Sequence, residues 1–285
     1  MNPTVKRICT ALTTATLAAL AIIYLPPAVV TCALIVLVAL VHLEFSMMVA
    51  KKYEIMTGWG VAAGVLFLCG IFAIPLLPYG GFRRICEGGF EVGLVLTFVA
   101  VWLRALFGSF KNPLVALGTT FLGFVYIPLM LTAFVALVAT GSGSCNCCGC
   151  APEAMPGWVK LLYVVAMVKV SDMGGFAFGR LIGRHKLCPS ISPNKTWEGL
   201  GGSLFAGVLV SCSFLPLTHF TVVKAVALGL VAAVVGTLGD LVESRFKREI
   251  GVKDSATFMP AGLGGFLDMF DSLVFVPIVL LEFLP

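Results

Sequence analysis

An all-α polytopic membrane protein is the fold class this sequence predicts, on three observations. Apolar residues make up 59% of the 285-residue chain. Charged residues make up only 12%, about half the share found in an ordinary soluble domain, which excludes a soluble globular enzyme. The apolar residues also run continuously rather than in the short alternating segments of a transmembrane barrel, leaving helices as the spanning element.

At about 20 residues per span, the apolar runs resolve into nine transmembrane helices, at residues 8–25, 28–50, 56–78, 89–107, 113–139, 157–180, 200–216, 222–241 and 262–284. Lys6 and Arg7 before the first run give it the outline of a signal peptide. The sequence Tyr24, Leu25, Pro26, Pro27 then leads into a second apolar run without a small-residue cleavage pattern, so a retained helical hairpin is expected. With the N-terminus cytoplasmic, the inner ends collect Lys6, Arg7, Lys51, Lys52, Arg104, Lys111, Arg180, Arg184, Lys186, Lys195, Arg245, Lys247, Arg248 and Lys253, which is 14 of the 19 Lys and Arg. Arg83, Arg84, Lys160 and Lys224 stay outside and Lys169 falls within a span. This bias places the N-terminus in the cytoplasm and the C-terminus outside. The net charge of +5 therefore speaks of topology, and no nucleic-acid partner is expected.

Residues 1–156 read as a transmembrane scaffold of about five spans, and residues 157–285 as a catalytic region of about four, the two forming one integral domain. Between them lies a Cys-rich outer loop, 141–157, carrying Cys145, Cys147, Cys148 and Cys150. Outside the cell these thiols are free to form disulfides. Their spacing matches paired zinc-ligand units poorly, and a cluster without a role stays open as well. Dispersed cysteines such as Cys9, Cys32, Cys69 and Cys212 behave as small hydrophobes.

The placement of charge separates chemistry from scaffold. All five aspartates, Asp172, Asp240, Asp254, Asp268 and Asp271, lie in the second region. Asp172, Asp240, Asp268 and Asp271 fall at the cytoplasmic ends of predicted spans and Asp254 in a loop between two of them. A single such Asp is readily a helix cap. Carboxylates converging from separate helices repel unless a cation or basic groups neutralise them, and hard oxygen donors of this kind suit Mg²⁺ with substrate phosphates. The inner loops supply basic groups at Arg180, Arg184, Lys186 and Lys195, and again at Arg245, Lys247, Arg248 and Lys253. They obey the positive-inside rule and suit anionic headgroups. Lys195 stands apart, because Pro193 precedes it and Thr196, Trp197 and Glu198 open a helix whose N-terminus can receive phosphate.

These residues carry a resemblance. Ser171, Asp172, Gly174 and Gly175, followed by Gly179, Arg180, Gly183, Arg184, His185 and Lys186 and by Ser192, Pro193, Asn194, Lys195, Thr196, Trp197 and Glu198, resemble the phosphatidate cytidylyltransferases, or CDP-diacylglycerol synthases. Ser244, Lys247, Arg248, Lys253, Asp254 and Ser255, in the pattern S-x-x-K-R-x₄-K-D-S, then Asp268 and Asp271, are similar to that family's signature. Two positions depart from it. The usual P-x-H-G-G is replaced by residues 260–265, which lack the His, and Met269 stands where an Arg usually follows the first Asp of D-R-x-D. Every carboxylate of the pattern is kept.

The resemblance implies transfer of a cytidylyl group from CTP to phosphatidic acid, giving CDP-diacylglycerol and pyrophosphate for phospholipid synthesis, with Mg²⁺ as cofactor. It implies an integral protein of the bacterial inner membrane with its site facing the cytoplasm, and CTP, phosphatidic acid, membrane lipids and a second copy of the chain as candidate partners. Catalytic roles fall to Asp240, Lys247, Arg248, Asp268 and Asp271, and metal ligation to Asp240, Asp268 and Asp271 with Asp172 and Asp254. Substrate binding falls to Lys195, Ser192, Arg184, Lys253 and Ser244. Ser244 and Ser255 would alternatively cap helices, and Asp254 would alternatively orient Lys253. A CTP-dependent lipid or polyprenol kinase is the alternative chemistry. A secondary transporter would also carry Lys169 and Asp172 within a span, but would more often show two related halves.

Overall fold

The computed structural model describes residues 20–73, 81–139, 155–218, 220–252, 255 and 265–284. The expected first span at 8–25 and the Cys145 to Cys150 cluster therefore lie largely or wholly outside the described residues, as do Lys253 and Asp254. What is described is an all-α membrane protein. Its helices are α1 (Pro27–Val49), α2 (Thr57–Ala73), α3 (Gly81–Phe107), α4 (Pro113–Phe124), α5 (Met130–Ala139), α6 (Gly157–Ile182), α7 (Trp197–Ser213), α8 (Leu215–Thr218), α9 (Val222–Ile250), α10 (Phe266–Phe270) and α11 (Val276–Leu281). Four helical stretches are long and apolar enough to cross a membrane: Ala28–Val49, Pro113–Val138, Gly157–Ile182 and Val222–Ile250. On α3, Val92, Val95, Leu96, Val99, Leu103 and Leu106 are exposed. Such a face is stable in hydrocarbon and costly in water.

Local sequence explains the irregularities. Pro128 cannot donate a helical hydrogen bond, and its ring crowds the preceding turn. The stretch from α4 to α5 absorbs it in a π-helical turn, Val125–Leu129. α9 runs past residue 241, where its apolar character ends, to Gly251, whose φ of 85° closes the helix in the left-handed region. The residues from Arg245 to Arg248, expected in a loop, are thus helical. The final expected span, 262–284, is broken into α10, a 3₁₀ turn at Asp271–Leu273, and α11. The basic stretch between α6 and α7 folds into an antiparallel hairpin of β1 (Lys186–Cys188) and β2 (Ser192–Thr196), with Lys186 opposite Thr196. Thr196 ends it by capping α7, its hydroxyl accepting the Gly199 N–H at 3.1 Å.

α6 and α7 pack through small residues. A Cβ on Gly174 would lie 2.7 Å from the Gly202 carbonyl oxygen, and one on Gly202 would lie 2.5 Å from the Phe178 Cβ. Backbones approach this closely only where side chains are missing. The connections at one end of the bundle are tied by polar contacts. Lys52 pairs with Glu249 at 2.9 Å, and Glu54 accepts the backbone N–H groups of Lys111 and Asn112 at 3.0 and 2.8 Å. Those two N–H groups hold the Glu54 carboxyl below its ordinary range. Loops expected on the cytoplasmic side thus share one end of the protein.

Gly202→Leu would force the α6–α7 contact apart, whereas Gly201, with open space around its Cβ position, tolerates the same change. Overpacking of a close contact costs about 1–3 kcal/mol. Thermal unfolding in detergent is expected to show a lower midpoint for Gly202→Leu, by roughly 2 °C or more, and a midpoint unchanged from the parent for Gly201→Leu.

Candidate active site

Spacing along α9 builds one half of the site. Residues three and four apart share a helix face, so Asp240, Glu243, Ser244 and Lys247 form one stripe. Ser244 Oγ donates to Asp240 Oδ1 at 3.2 Å, and Lys247 Nζ pairs with Glu243 Oε2 at 3.0 Å. The chain from α10 into the 3₁₀ turn builds the other half. Asp268 takes Lys247 on one oxygen at 2.8 Å and the Gly265 N–H on the other at 2.8 Å. Asp271 accepts the N–H and hydroxyl of Ser272, at 2.5 and 2.9 Å. The halves meet at Gly239, where an added Cβ would lie 2.5 Å from the Asp271 carbonyl oxygen.

The hairpin and α6 complete the arrangement. Lys195 of β2 reaches α9, its ammonium 2.9 Å from Asp240 Oδ2 and 3.0 Å from the Thr237 carbonyl oxygen. Asp172 of α6 lies within electrostatic range of Asp240, Lys195 and Lys169. Lys169 Nζ donates to the Met269 carbonyl at 2.6 Å. At the rim, Glu198 accepts the His185 ring nitrogen at 2.6 Å and the backbone N–H groups of Arg184 and His185. Its carboxyl is held down at about 2, chiefly by the His185 hydrogen bond.

Carboxylate oxygens of Asp240, Glu243 and Asp271 lie within 4.8 Å of one another. Glu243 is fully buried, and its Oε1 has no hydrogen-bond partner. Hard oxygen donors converging in this way, with one buried oxygen unanswered, fit a divalent cation. Of the expected metal ligands, Asp240 and Asp271 stand in this group and Asp172 beside it. Asp268 stands outside the group of three, held by Lys247 and the Gly265 N–H, and Asp254 lies outside the described residues. Of the expected phosphate-binding residues, Lys195 and Lys247 are at the carboxylates. Ser192 is half-buried in β2, and Arg184 and Arg248 are exposed. Lys253 lies outside the described residues. Glu243 and Lys169 were not expected in the site, although both stand near its motifs. Glu44 of α1, wholly buried, accepts the Leu267 N–H at 2.8 Å and had no signal in the sequence.

Comparison with known proteins bears on this geometry. The model of the cytidylyltransferase family matches residues 5–284. The chain belongs to that family. It is 48% identical over 118 residues to the phosphatidate cytidylyltransferase of Staphylococcus aureus strain COL, a stretch that is 41% of this chain and 45% of that protein. It is 46% identical over 118 residues to the phosphatidate cytidylyltransferase of Staphylococcus haemolyticus, covering the same two shares. The match to that of Staphylococcus epidermidis strain ATCC 12228 is 46% over 119 residues, again 41% of this chain and 45% of that protein. The aligned stretch thus spans under half the length of the curated relatives. In this member of the cytidylyltransferase family, Lys195 and Lys247 are each ion-paired to carboxylate.

Lys247→Met would leave buried Glu243 and Asp268 without their shared cation, a loss of about 3–5 kcal/mol for a broken buried pair. The thermal midpoint in detergent is expected to fall by roughly 6 °C or more. The exposed Arg248, changed to Met, is expected to stay within about 0.5 kcal/mol of the parent, as surface substitutions do.

Proposed function

We propose that this protein transfers the cytidylyl group of CTP to phosphatidic acid, releasing pyrophosphate and forming CDP-diacylglycerol. The observation that carries the reading is the convergence of Asp240, Glu243 and Asp271 beside two lysines, in a member of the cytidylyltransferase family. In the reaction an oxygen of the lipid phosphate forms a bond to the α-phosphorus of CTP. The bond from that phosphorus to the bridging oxygen of the β-phosphate breaks, and its electron pair leaves with pyrophosphate. Nucleophile and leaving group are both anionic, so positioning and charge neutralisation are the catalytic problem. No Ser or Cys nucleophile is needed.

The chain's own residues address both parts. Asp240, Glu243 and Asp271 would hold the divalent cation, with Asp172 adjacent. Bound there, Mg²⁺ would supply neutralisation of phosphate charge and orientation of CTP. Lys195, on a hairpin strand next to the capped N-terminus of α7, would exchange its pairing with Asp240 for a substrate phosphate when substrate enters. Lys247 bridges Glu243 of α9 and Asp268 of α10, tying the two elements together at the site. Arg248, Arg184, Lys253, Ser192 and Ser244 remain candidates for contacts to substrate phosphates, and Asp268 orders the site through Lys247.

The same reading assigns nine spans with the N-terminus in the cytoplasm, the C-terminus outside and the site open to the cytoplasm in a bacterial inner membrane. The shared end of the 50–56 and 108–112 loops and the end of α9 support the alternation. The positive-inside bias supports the side.

Purified protein given CTP and phosphatidic acid with Mg²⁺ is expected to yield a lipid carrying cytidine. A phosphorylated alcohol with CDP released would establish the kinase instead. Asp240→Asn and Glu243→Gln are each expected to lower kcat about a hundredfold or more, the scale of losing one preorganised electrostatic group. Full activity in both variants would refute the cation site.

For topology, the free thiol of Cys188 in the hairpin is expected to react with a membrane-impermeant reagent only in permeabilised cells. Labelling of Cys188 itself in intact cells would reverse the orientation.

A further inference from the structure

We infer that Glu44, in α1, is a positioning residue for the carboxylates of the site, acting on Leu267, 223 residues later in the chain. Three observations place it there. Its side chain is wholly excluded from solvent, and its Oε2 accepts the Leu267 N–H at 2.8 Å. Its Oε1 stands where a Cβ on Gly265 would come within 2.6 Å, and the buried Ser255 hydroxyl would meet that same Cβ. Glu44, Ser255 and Gly265 therefore close on the first turn of α10, in a space that admits only glycine at residue 265.

The position of that turn makes the contact matter. α10 has five residues, too few to hold itself as an independent helix. The orientation of Asp268, one residue past Leu267, and of Asp271 at its end must come from outside. Asp268 answers to Lys247, and the Met269 carbonyl to Lys169. Both of those clasps come from the second half of the chain. From the first half, Phe134 packs on the Phe270 ring, while Glu44 supplies a polar clasp, and it grips the backbone rather than a side chain. A carboxylate in an apolar interior is expensive, and packing alone would be served better by leucine. An acceptor that must reach a specific N–H explains its presence. The residue touches no reacting atom, so its effect passes through Asp268 and Asp271.

The test separates positioning from simple stability, and its first measurement stands without the proposed activity, although the second rests on it. Glu44→Gln keeps an acceptor oxygen at the same reach. Glu44→Ala removes it, and Glu44→Asp withdraws it by one methylene while keeping the charge. Hydrogen exchange of the full-length protein in detergent is expected to show amides at 266–270 exchanging at least about tenfold faster in Glu44→Ala or Glu44→Asp, with the rest of the protein unchanged. Glu44→Gln is expected to match the parent. In turnover of CTP and phosphatidic acid, the Ala and Asp variants are expected to lose kcat by about tenfold or more. Their half-saturating Mg²⁺ should rise while KM for phosphatidic acid stays within about threefold, and Gln should recover most of the rate. Should Glu44→Ala fail to fold, the Asp and Gln variants carry the comparison. Parent-like exchange at 266–270 in the Asp variant, or a Gln variant as impaired as the Asp variant, would overturn the inference. Absence of any cytidylyl transfer by the parent would instead count against the proposed activity and leave the exchange result to stand.

Discussion

Carboxylates gathered in an apolar interior repel one another, and two lysines make the gathering tenable. Lys247 bridges Glu243 and Asp268, and Lys195 meets Asp240. Without these pairs the desolvation of Asp240, Glu243 and Asp268, several kcal/mol for each ion even after relaxation, would lose its main offset. The arrangement is also incompletely neutralised. Carboxylate oxygens of Asp240, Glu243 and Asp271 lie within 4.8 Å of one another, and Glu243 Oε1 has no hydrogen-bond partner. On the function proposed above, a divalent cation would occupy this gap and bring the substrate phosphates with it.

The surrounding fold serves that centre by withholding side chains at close approaches. Gly239 lets the 3₁₀ turn press on α9, Gly265 lets Glu44 and Ser255 close on α10, and the glycines of α6 and α7 bring Asp172 and the hairpin onto the same side. The broken final span has the same purpose. A continuous helix through residues 266–281 would place Asp268 and Asp271 on a single cylinder. The short α10 and its 3₁₀ turn direct one towards Lys247 and the other towards Asp240. A helix broken within an apolar interior requires polar partners for its freed backbone groups, and Glu44 and Lys169 provide two of them.

Much of this was legible beforehand, and the parts that were not have physical reasons. Continuous apolar runs marked the long helices, and the confinement of every Asp to residues 172–271 marked the stretch in which the described carboxylate cluster lies. The end of α9 was misjudged because hydropathy falls after residue 241, although the i, i+4 spacing of Glu243 and Lys247 and the glycine at 251 both favour continuation of the helix. Placing that stretch in a loop concealed Glu243, whose membership of the site depends on sharing a face with Asp240. The hairpin was hidden by Pro189, Pro193 and Asn194, which read as loop residues. Glu44 was beyond reach, since its partner is a backbone amide from the far end of the chain.

The most direct measurement of the central claim is Mn²⁺ binding, with Mn²⁺ standing in for Mg²⁺, followed by electron paramagnetic resonance on the purified protein in lipid nanodiscs. One site is expected in the parent, lost or weakened about tenfold or more in Glu243→Gln, as expected when a preorganised ligand is removed. The site should persist in Arg248→Ala. Mn²⁺ binding to Glu243→Gln with the parent's affinity would contradict the claim that Asp240, Glu243 and Asp271 form a cation centre.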